Sequence, residues 1–221
     1  MTSGMALNYD ARSRQLHAVG GDCYEFVPLT NERLAIAIGD ASGKGVRAAL
    51  MIANVQSSLR TAASFAEDNL AAMLEAVNRQ VHATSAEDRY ATLFYGVVDR
   101  TTRTLRYVNA GHHPPMVMRS DGSIVKLGTG GIPVGLFPDS VYEEGDVQLN
   151  PGDLVLAYTD GVVEVENPAG EEWGIDGLRS AVTAKHARNA DDIVNAVFTS
   201  MDEFSRGHQA DDATVIALQV H

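Results

Sequence analysis

The sequence predicts an α+β protein in which two packed antiparallel β-sheets are flanked by helices. Three observations point there. Apolar, β-rich runs come in groups joined by short polar turns, as antiparallel neighbours require. Helical periodicity is confined to two blocks, one after Asp40 and one after Gly174, and does not alternate with every strand as a parallel βαβ fold demands. The chain has 221 residues, 45% of them hydrophobic, enough for a sizeable core, and it contains no repeat, low-complexity tract or linker that would divide it. A single domain over residues 1–221 is expected.

The first third reads strand, hairpin, helix. Residues 24–29 and 34–39 are β-rich and flank the polar turn 30–33. A hairpin closed there pairs residues whose numbers sum to about 63, which sets Cys23 opposite Asp40 and Asp22 within one residue of it. After Asp40 the period changes. Val46, Ala49, Leu50, Ala53 and Val55 favour a helix, with Ser42 a candidate cap and Gly43 and Gly45 easing the turn into it. Ser64 and Glu67 have capping-box spacing ahead of a second helix whose apolar face is Leu70, Met73, Leu74, Val77 and Val81.

Strands resume over 91–99 and 104–110, then 116–119 and 123–127 around the hairpin signal Asp121-Gly122. A loop rich in Gly and Pro covers 128–138, followed by strands over 141–149 and 154–158. Helices are expected over 174–186 and 190–206, the latter with Ile193, Val197, Met201 and Phe204 on one side. A closing strand covers 213–220.

The composition excludes several classes. With 17 basic and 29 acidic side chains the formal charge is −12, which disfavours nucleic acid or an anionic membrane as a partner. No apolar stretch approaches the roughly 20 residues needed to cross a bilayer, and Met1-Thr2-Ser3-Gly4 carries no signal core. Cys23 is the single cysteine, so no intrachain disulfide or thiolate metal cage can form, and its neighbour Asp22 discourages a thiolate. A cytoplasmic location is expected.

Four aspartates end apolar runs, each beside glycine or another aspartate: Asp22, Asp40, Asp160 and Asp211. Carboxylates gathered at strand ends repel one another unless a cation neutralises them, and hard ions such as Mg²⁺ or Mn²⁺ favour oxygen ligands of this kind. Two such ions about 3.5–4 Å apart would hold a water, lower its pKa and allow in-line attack of hydroxide on phosphorus without a Ser, Cys or His nucleophile. Taken singly, each Asp-Gly pair is more often a turn than a ligand.

Taken in order, Gly20-Gly21-Asp22-Cys23-Tyr24-Glu25, Gly39-Asp40-Ala41-Ser42-Gly43-Lys44-Gly45, Gly111-His112-His113-Pro114-Pro115, Thr159-Asp160-Gly161-Val162 and Asp211-Asp212-Ala213-Thr214 resemble the motifs of the PPM family of metal-dependent Ser/Thr protein phosphatases. The bacterial SpoIIE/RsbU-like branch of sporulation and stress-response regulators is most similar. The resemblance runs from about Leu7 to Val220. It implies an αββα sandwich and a site for two Mn²⁺ or Mg²⁺ ions. The implied ligands are Asp22, Asp40 as a bridge, the backbone carbonyl of Ala41, Asp160 and Asp211, with Asp212 in a supporting role. It further implies a phosphoserine or phosphothreonine substrate on a STAS-type anti-anti-sigma protein, and a regulatory switch in the two helices after Asp40. The family's architecture also allows a homodimer or an upstream sensor domain.

Three positions depart from the branch. Glu25 stands in place of Asp, His113 in place of Asn, and no basic residue among Arg12, Arg14 and His17 matches the phosphate-binding Arg of eukaryotic members. Glu25, three residues beyond Asp22 on a strand, should face the opposite side. Rival readings are weaker. Lys44 lacks the spacing of a nucleotide-binding loop. His112 and His113, ahead of two prolines, favour structural hydrogen bonding over metal ligation. A Ca²⁺-stabilised domain lacks the Asp-x-Asp-x-Asp-Gly loop. A catalytically silent phosphatase-like interaction module is the alternative from another class.

Overall fold

The computed structural model describes residues 5–63, 69–85, 89–184 and 189–221. The elements in chain order are β1 (Leu7–Arg14), β2 (Asp22–Pro28), β3 (Arg33–Ala41), α1 (Val46–Ala63), α2 (Leu70–Thr84), β4 (Ala91–Asp99), β5 (Thr104–Ala110), β6 (Met116–Met118), β7 (Ile124–Lys126), β8 (Gly130–Gly131), β9 (Gly145–Gln148), β10 (Leu154–Tyr158), α3 (Asp160–Val163), α4 (Gly174–Ala184), α5 (Ala190–Ser205) and β11 (Ala213–Val220). They form two sheets, a five-stranded β1-β11-β10-β6-β7 and a six-stranded one ordered β2-β3-β4-β5-β8, with β9 also paired to β5. All pairings are antiparallel except the two-residue β5–β8 contact.

Alternation along the strands makes this a four-layer structure. On β3, Leu34, Ile36 and Ile38 face the other sheet and, with Phe94 of the neighbouring β4, share a core cluster with Val155, Ile216 and Leu218 across the gap. Ala35, Ala37 and Ala41 face outward onto Val55, Leu59, Leu74 and Val77 of α1 and α2. The outer side of the five-stranded sheet, through Leu156, Tyr158, Val215 and Ala217, packs on Val194, Val197, Phe198 and Met201 of α5. Small residues on the helix side of β3 let α1 lie close, and branched residues on the inner side fill the gap between the sheets. The predicted two-sheet, helix-flanked architecture is the one observed.

Several local expectations need correction. The first hairpin pairs Asp22 directly with Asp40 and Cys23 with Gly39, one residue from the predicted register. Its turn is closed at Leu29 and Thr30, whose amides donate to the Arg33 carbonyl, with the Thr30 hydroxyl accepting from Glu32 and Arg33, so it is not symmetric about 30–33. In α1 the buried residues are Ala48, Met51, Ile52, Val55 and Leu59, whereas Val46 and Leu50 are 65% and 67% exposed. The small residues at Ala49 and Ala53 had drawn the predicted stripe away from the true face. Ser42 does not cap α1. Its hydroxyl accepts from Tyr90 N and ties the Asp40 loop to β4.

The Ser64–Glu67 capping box lies outside the described residues, and the α2 cap is Asn69, accepting from Ala72 N at 2.8 Å. The strand predicted over 141–149 is confined to β9, and the one-turn α3 is unanticipated. The α2 face, β4, β5, β10 and β11 fall where predicted. Among the described residues, no helix is long and apolar enough to cross a membrane.

Candidate metal centre

The first hairpin delivers two carboxylates to the inter-sheet face at one end of the sandwich. Asp22 and Asp40 are direct cross-strand partners on the same side as Tyr24 and Ile38. Like charges so placed are destabilising, and nothing in the hairpin relieves them. The second sheet approaches from across the core. Thr159, at the end of β10, and Thr214, at the start of β11, each donate a hydroxyl to Asp22 Oδ2 at 2.7 Å. Thr214 N in turn donates to Thr159 Oγ1 at 2.9 Å, so a buried network joins the two sheets at this carboxylate. Asp22 Oδ1 is buried and has no hydrogen-bond partner among the described residues. A buried carboxylate oxygen without a hydrogen-bond partner, beside other acids, has the chemistry of a cation ligand.

Asp160 follows Thr159 directly, and its Oδ1 accepts from Gly161 N at 2.7 Å. Gly161 is required by close approach, since a Cβ there would lie 2.0 Å from the Asp212 carbonyl oxygen. That contact holds the Asp160 turn against the Asp211-Asp212 loop. Asp212 accepts from Leu16 N and Gly21 N, both at 2.7 Å, which fixes the chain just ahead of Asp22. Gly21 matters for a similar reason. Its missing side chain would sit 3.2 Å from both Ala41 O and Asp40 Oδ1, so the glycine keeps those two oxygens uncovered.

The electrostatics show that these acids act on one another, although among the described residues only His113, Asp160 and Glu164 bring three ligand atoms within 4.8 Å of one another. Burial pushes the Asp40 carboxyl up to about 8, and Asp22, Asp160, Asp211 and Asp212 each push it further in that direction. Burial raises Asp22 to about 6, with Asp212 and Asp160 adding to the shift while the two threonines oppose it. Asp40 therefore feels all three other predicted ligands. A hard divalent ion fits this donor set: oxygen only, strongly anionic, and unsatisfied in its absence.

Lys44 stands nearest to filling that need. Its Nζ lies 2.7 Å from Asp211 Oδ2 and 3.0 Å from the Ala210 carbonyl, both side chains being about half exposed. An ion bound at Asp211 must compete with this ammonium. Lys44→Met should lower the Kd for Mn²⁺ by about two- to fivefold, the worth of an exposed ion pair. Calorimetric titration of the two proteins would measure it, and an unchanged Kd would remove Lys44 from the site.

Other predicted features resolve differently. Glu25 is buried on the helix side of β2 and pairs with Arg60 of α1 at 3.0 Å, away from the acidic cluster. Cys23 is buried, and burial first, then the nearby acids, raises its thiol well above the usual range. His112 is buried, bonded to Thr92 Oγ1 at 2.8 Å, and burial lowers it to about 3. His113 instead stands beside Asp160 and Glu164. The supporting threonines were not singled out in the sequence. Thr159 and Thr214 flank motif aspartates, but only the fold reveals that both reach the same oxygen.

A sequence profile described as Stage II sporulation protein E (SpoIIE) matches residues 30–221. Protein IcfG of Synechocystis sp. is 31% identical over 229 aligned positions, covering 91% of this chain and 36% of that protein. Phosphoserine phosphatase RsbU of Bacillus subtilis is 27% identical, covering 97% of this chain and 63% of that protein. The chain thus spans less than two thirds of the length of either relative. The solved PP2C phosphatase domain of SpoIIE from Bacillus subtilis, crystallised with a fragment of its regulatory domain, superposes with a TM-score of 0.84 at 21% identity, covering 99% of this chain and 65% of that one. Matched over most of its length in sequence and over nearly all of it in architecture, the chain belongs to the SpoIIE family and has the PP2C phosphatase fold.

Proposed function

We propose that the protein is a Mn²⁺- or Mg²⁺-dependent phosphoprotein phosphatase acting on phosphoserine or phosphothreonine of a STAS-type anti-anti-sigma partner. The observation that carries this reading is the acidic cluster itself, with the buried, unpartnered Asp22 Oδ1 at its centre and Asp40 flanked by three further acids. A relative named as a phosphoserine phosphatase supports the reaction class. Asp22, Asp40, the Ala41 carbonyl, Asp160 and Asp211 would hold two ions. When bound, such a pair supplies a water of lowered pKa and neutralises charge developing on the phosphoryl oxygens.

The chain's own groups have distinct tasks. Thr159 and Thr214 hold Asp22 through one oxygen and leave the other for the cation. Asp212 anchors Leu16 and Gly21 and so fixes where Asp22 begins. Gly21 keeps Ala41 O and Asp40 Oδ1 accessible. Neither Cys23, whose thiol is held protonated, nor His112, buried and neutral, is a competent nucleophile. The net charge of −12 repels phosphate at long range, so recognition must come from docking of the partner protein and not from electrostatic capture.

The test is to mix the purified chain with STAS-type proteins phosphorylated on serine and follow loss of phosphate with added Mn²⁺, with and without chelator. Chelator-sensitive dephosphorylation is expected. Stable binding of the phosphorylated partner without phosphate release would favour the catalytically silent interaction module instead.

A further inference from the structure

Helix α1 turns one face towards an open groove. Arg47, Leu50, Met51 and Asn54 recur at the spacing of a single helical face, and together with Arg89, just ahead of β4, they line a groove of about 420 Å³ beside the C-terminal end of α2. Its apolar part is only half covered. Met51 is buried, whereas Leu50 and, one turn before it, Val46 stand largely in water. Neighbouring aliphatic side chains left uncovered beside a groove mark a surface that another molecule contacts.

The polar part is cationic in an anionic molecule. The chain carries a net charge of −12, yet two guanidinium groups line this groove, and among the described residues no carboxylate pairs with Arg47 or Arg89. Arg89 Nη1 donates to the Ser42 carbonyl at 3.0 Å and presses on the Gly43 turn, where a Cβ would lie 2.6 Å from it. That bond uses one donor of the fork and leaves the others for a planar anion. Ser42 follows Ala41 directly, so the groove adjoins the turn that carries Asp40 and the Ala41 carbonyl.

We propose that this groove receives the segment of the phosphoprotein substrate that flanks its phosphorylated residue, with an aliphatic side chain against Leu50 and Met51 and a carboxylate on Arg47 and Arg89. This rests on the phosphatase reading above and deepens it. An extended chain advances about 3.3–3.6 Å per residue, so a phosphoserine at the acidic cluster leaves its near neighbours in sequence to lie along α1. The acids that come from the other sheet, Asp160, Glu164 and Asp211, repel a substrate carboxylate. Attraction on one side of the centre alone sets the direction in which the substrate lies.

Steady-state kinetics with saturating Mn²⁺ test the groove, using a serine-phosphorylated STAS-type protein and p-nitrophenyl phosphate, which is too short to reach it. Arg47→Glu and Leu50→Ser change exposed side chains, and an acid in the first turn of a helix suits its dipole, so both variants should fold. Each should raise KM for the phosphoprotein by about tenfold, the scale of a central interface contact, while kcat and all turnover of p-nitrophenyl phosphate stay as in the wild type. Among phosphoserine peptides, the wild type should favour Glu over Lys beside the phosphoserine, and Arg47→Glu should reverse that order. A phosphoprotein KM that ignores both substitutions would overturn the groove, as would an equal loss on both substrates. So would a finding, by sedimentation, that Arg47→Glu releases phosphatidylserine vesicles or a second copy of the chain and leaves the phosphoprotein KM unmoved. Fluorescence anisotropy of the labelled phosphoprotein separates the two readings. Binding that Arg47→Glu weakens, without phosphate release, would strike only the proposed function, and a wild type that neither binds nor hydrolyses the phosphoprotein would strike both.

Discussion

Asp40→Asn is expected to lower turnover on a phosphoprotein by more than about 100-fold, the upper range for residues that merely support a metal ligand. The same substitution should raise the melting temperature of the metal-free protein at pH 8. Both effects have one cause. Asp40 is the carboxylate most burdened by its neighbours, and in the absence of a cation its charge is opposed by burial and by Asp22, Asp160, Asp211 and Asp212. The neutral amide relieves that repulsion and keeps the shape, but it is a poor partner for a hard cation. Phosphate release at saturating Mn²⁺, paired with thermal unfolding in chelator, reads the two consequences separately. A variant that turns over at the wild-type rate would remove Asp40 from the reaction.

Stability of the metal-free protein should fall as pH rises from 6.5 to 8, and saturating Mn²⁺ should abolish or reverse the trend. The folded state holds Asp40 at about 8, against an ordinary value of 3.8, so it binds more protons than the unfolded chain throughout that interval. A carboxyl whose folded pKa is raised contributes stability that is complete below its unfolded value and is lost as pH climbs through the folded one. His112 works in the opposite sense. Held near 3 against 6.5, it adds stability as pH rises from acid, with only about 0.4 kcal/mol of that gain remaining above 6.5. The window above 6.5 is therefore governed mainly by the carboxylates.

One proton corresponds to about 1.4 kcal/mol per pH unit, so a loss of about 1–2 kcal/mol is expected across the window. For a chain of this size that is about 2–8 °C in Tm. Ion binding requires deprotonated ligands, so the Mn²⁺-loaded protein should show no such decline. Melting curves in chelator and in Mn²⁺ at several pH values would measure both slopes. A metal-free Tm that climbs between pH 6.5 and 8 would contradict the acidic cluster.

The parts of the fold legible in the sequence were those in which local signals agree. Strands β4, β5, β10 and β11 are apolar runs with unambiguous turns at their ends, and α2 has a clean apolar stripe with polar residues opposite. Helix α1 was misread because alanines are frequent around it, and an alanine marks neither face. Only the packing of the core cluster they share with Ala37 of β3 and Leu74 of α2 decides that Met51 and Ile52 turn inward while Leu50 turns out. The hairpin register slipped by one because the turn closes through the Thr30 side chain, which residue counting cannot weigh. At the acidic cluster, Gly-Asp and Asp-Gly pairs betrayed the carboxylates, since close packing demands glycine beside them. Thr159 and Thr214 stayed hidden because a buried hydroxyl and a surface hydroxyl look alike until the second sheet is in place.

The Asp22 network has a consequence for the whole sandwich. One carboxylate from the six-stranded sheet is gripped by hydroxyls from two strands of the five-stranded sheet. The seam between the layers is thereby indexed at one edge, like two rulers pinned at a single mark. Any sliding of one layer over the other would misalign the acidic cluster long before it unfolded the protein, so the distant filling of that seam around Phe94 and Ile216 sets the tolerance to which the cluster is held.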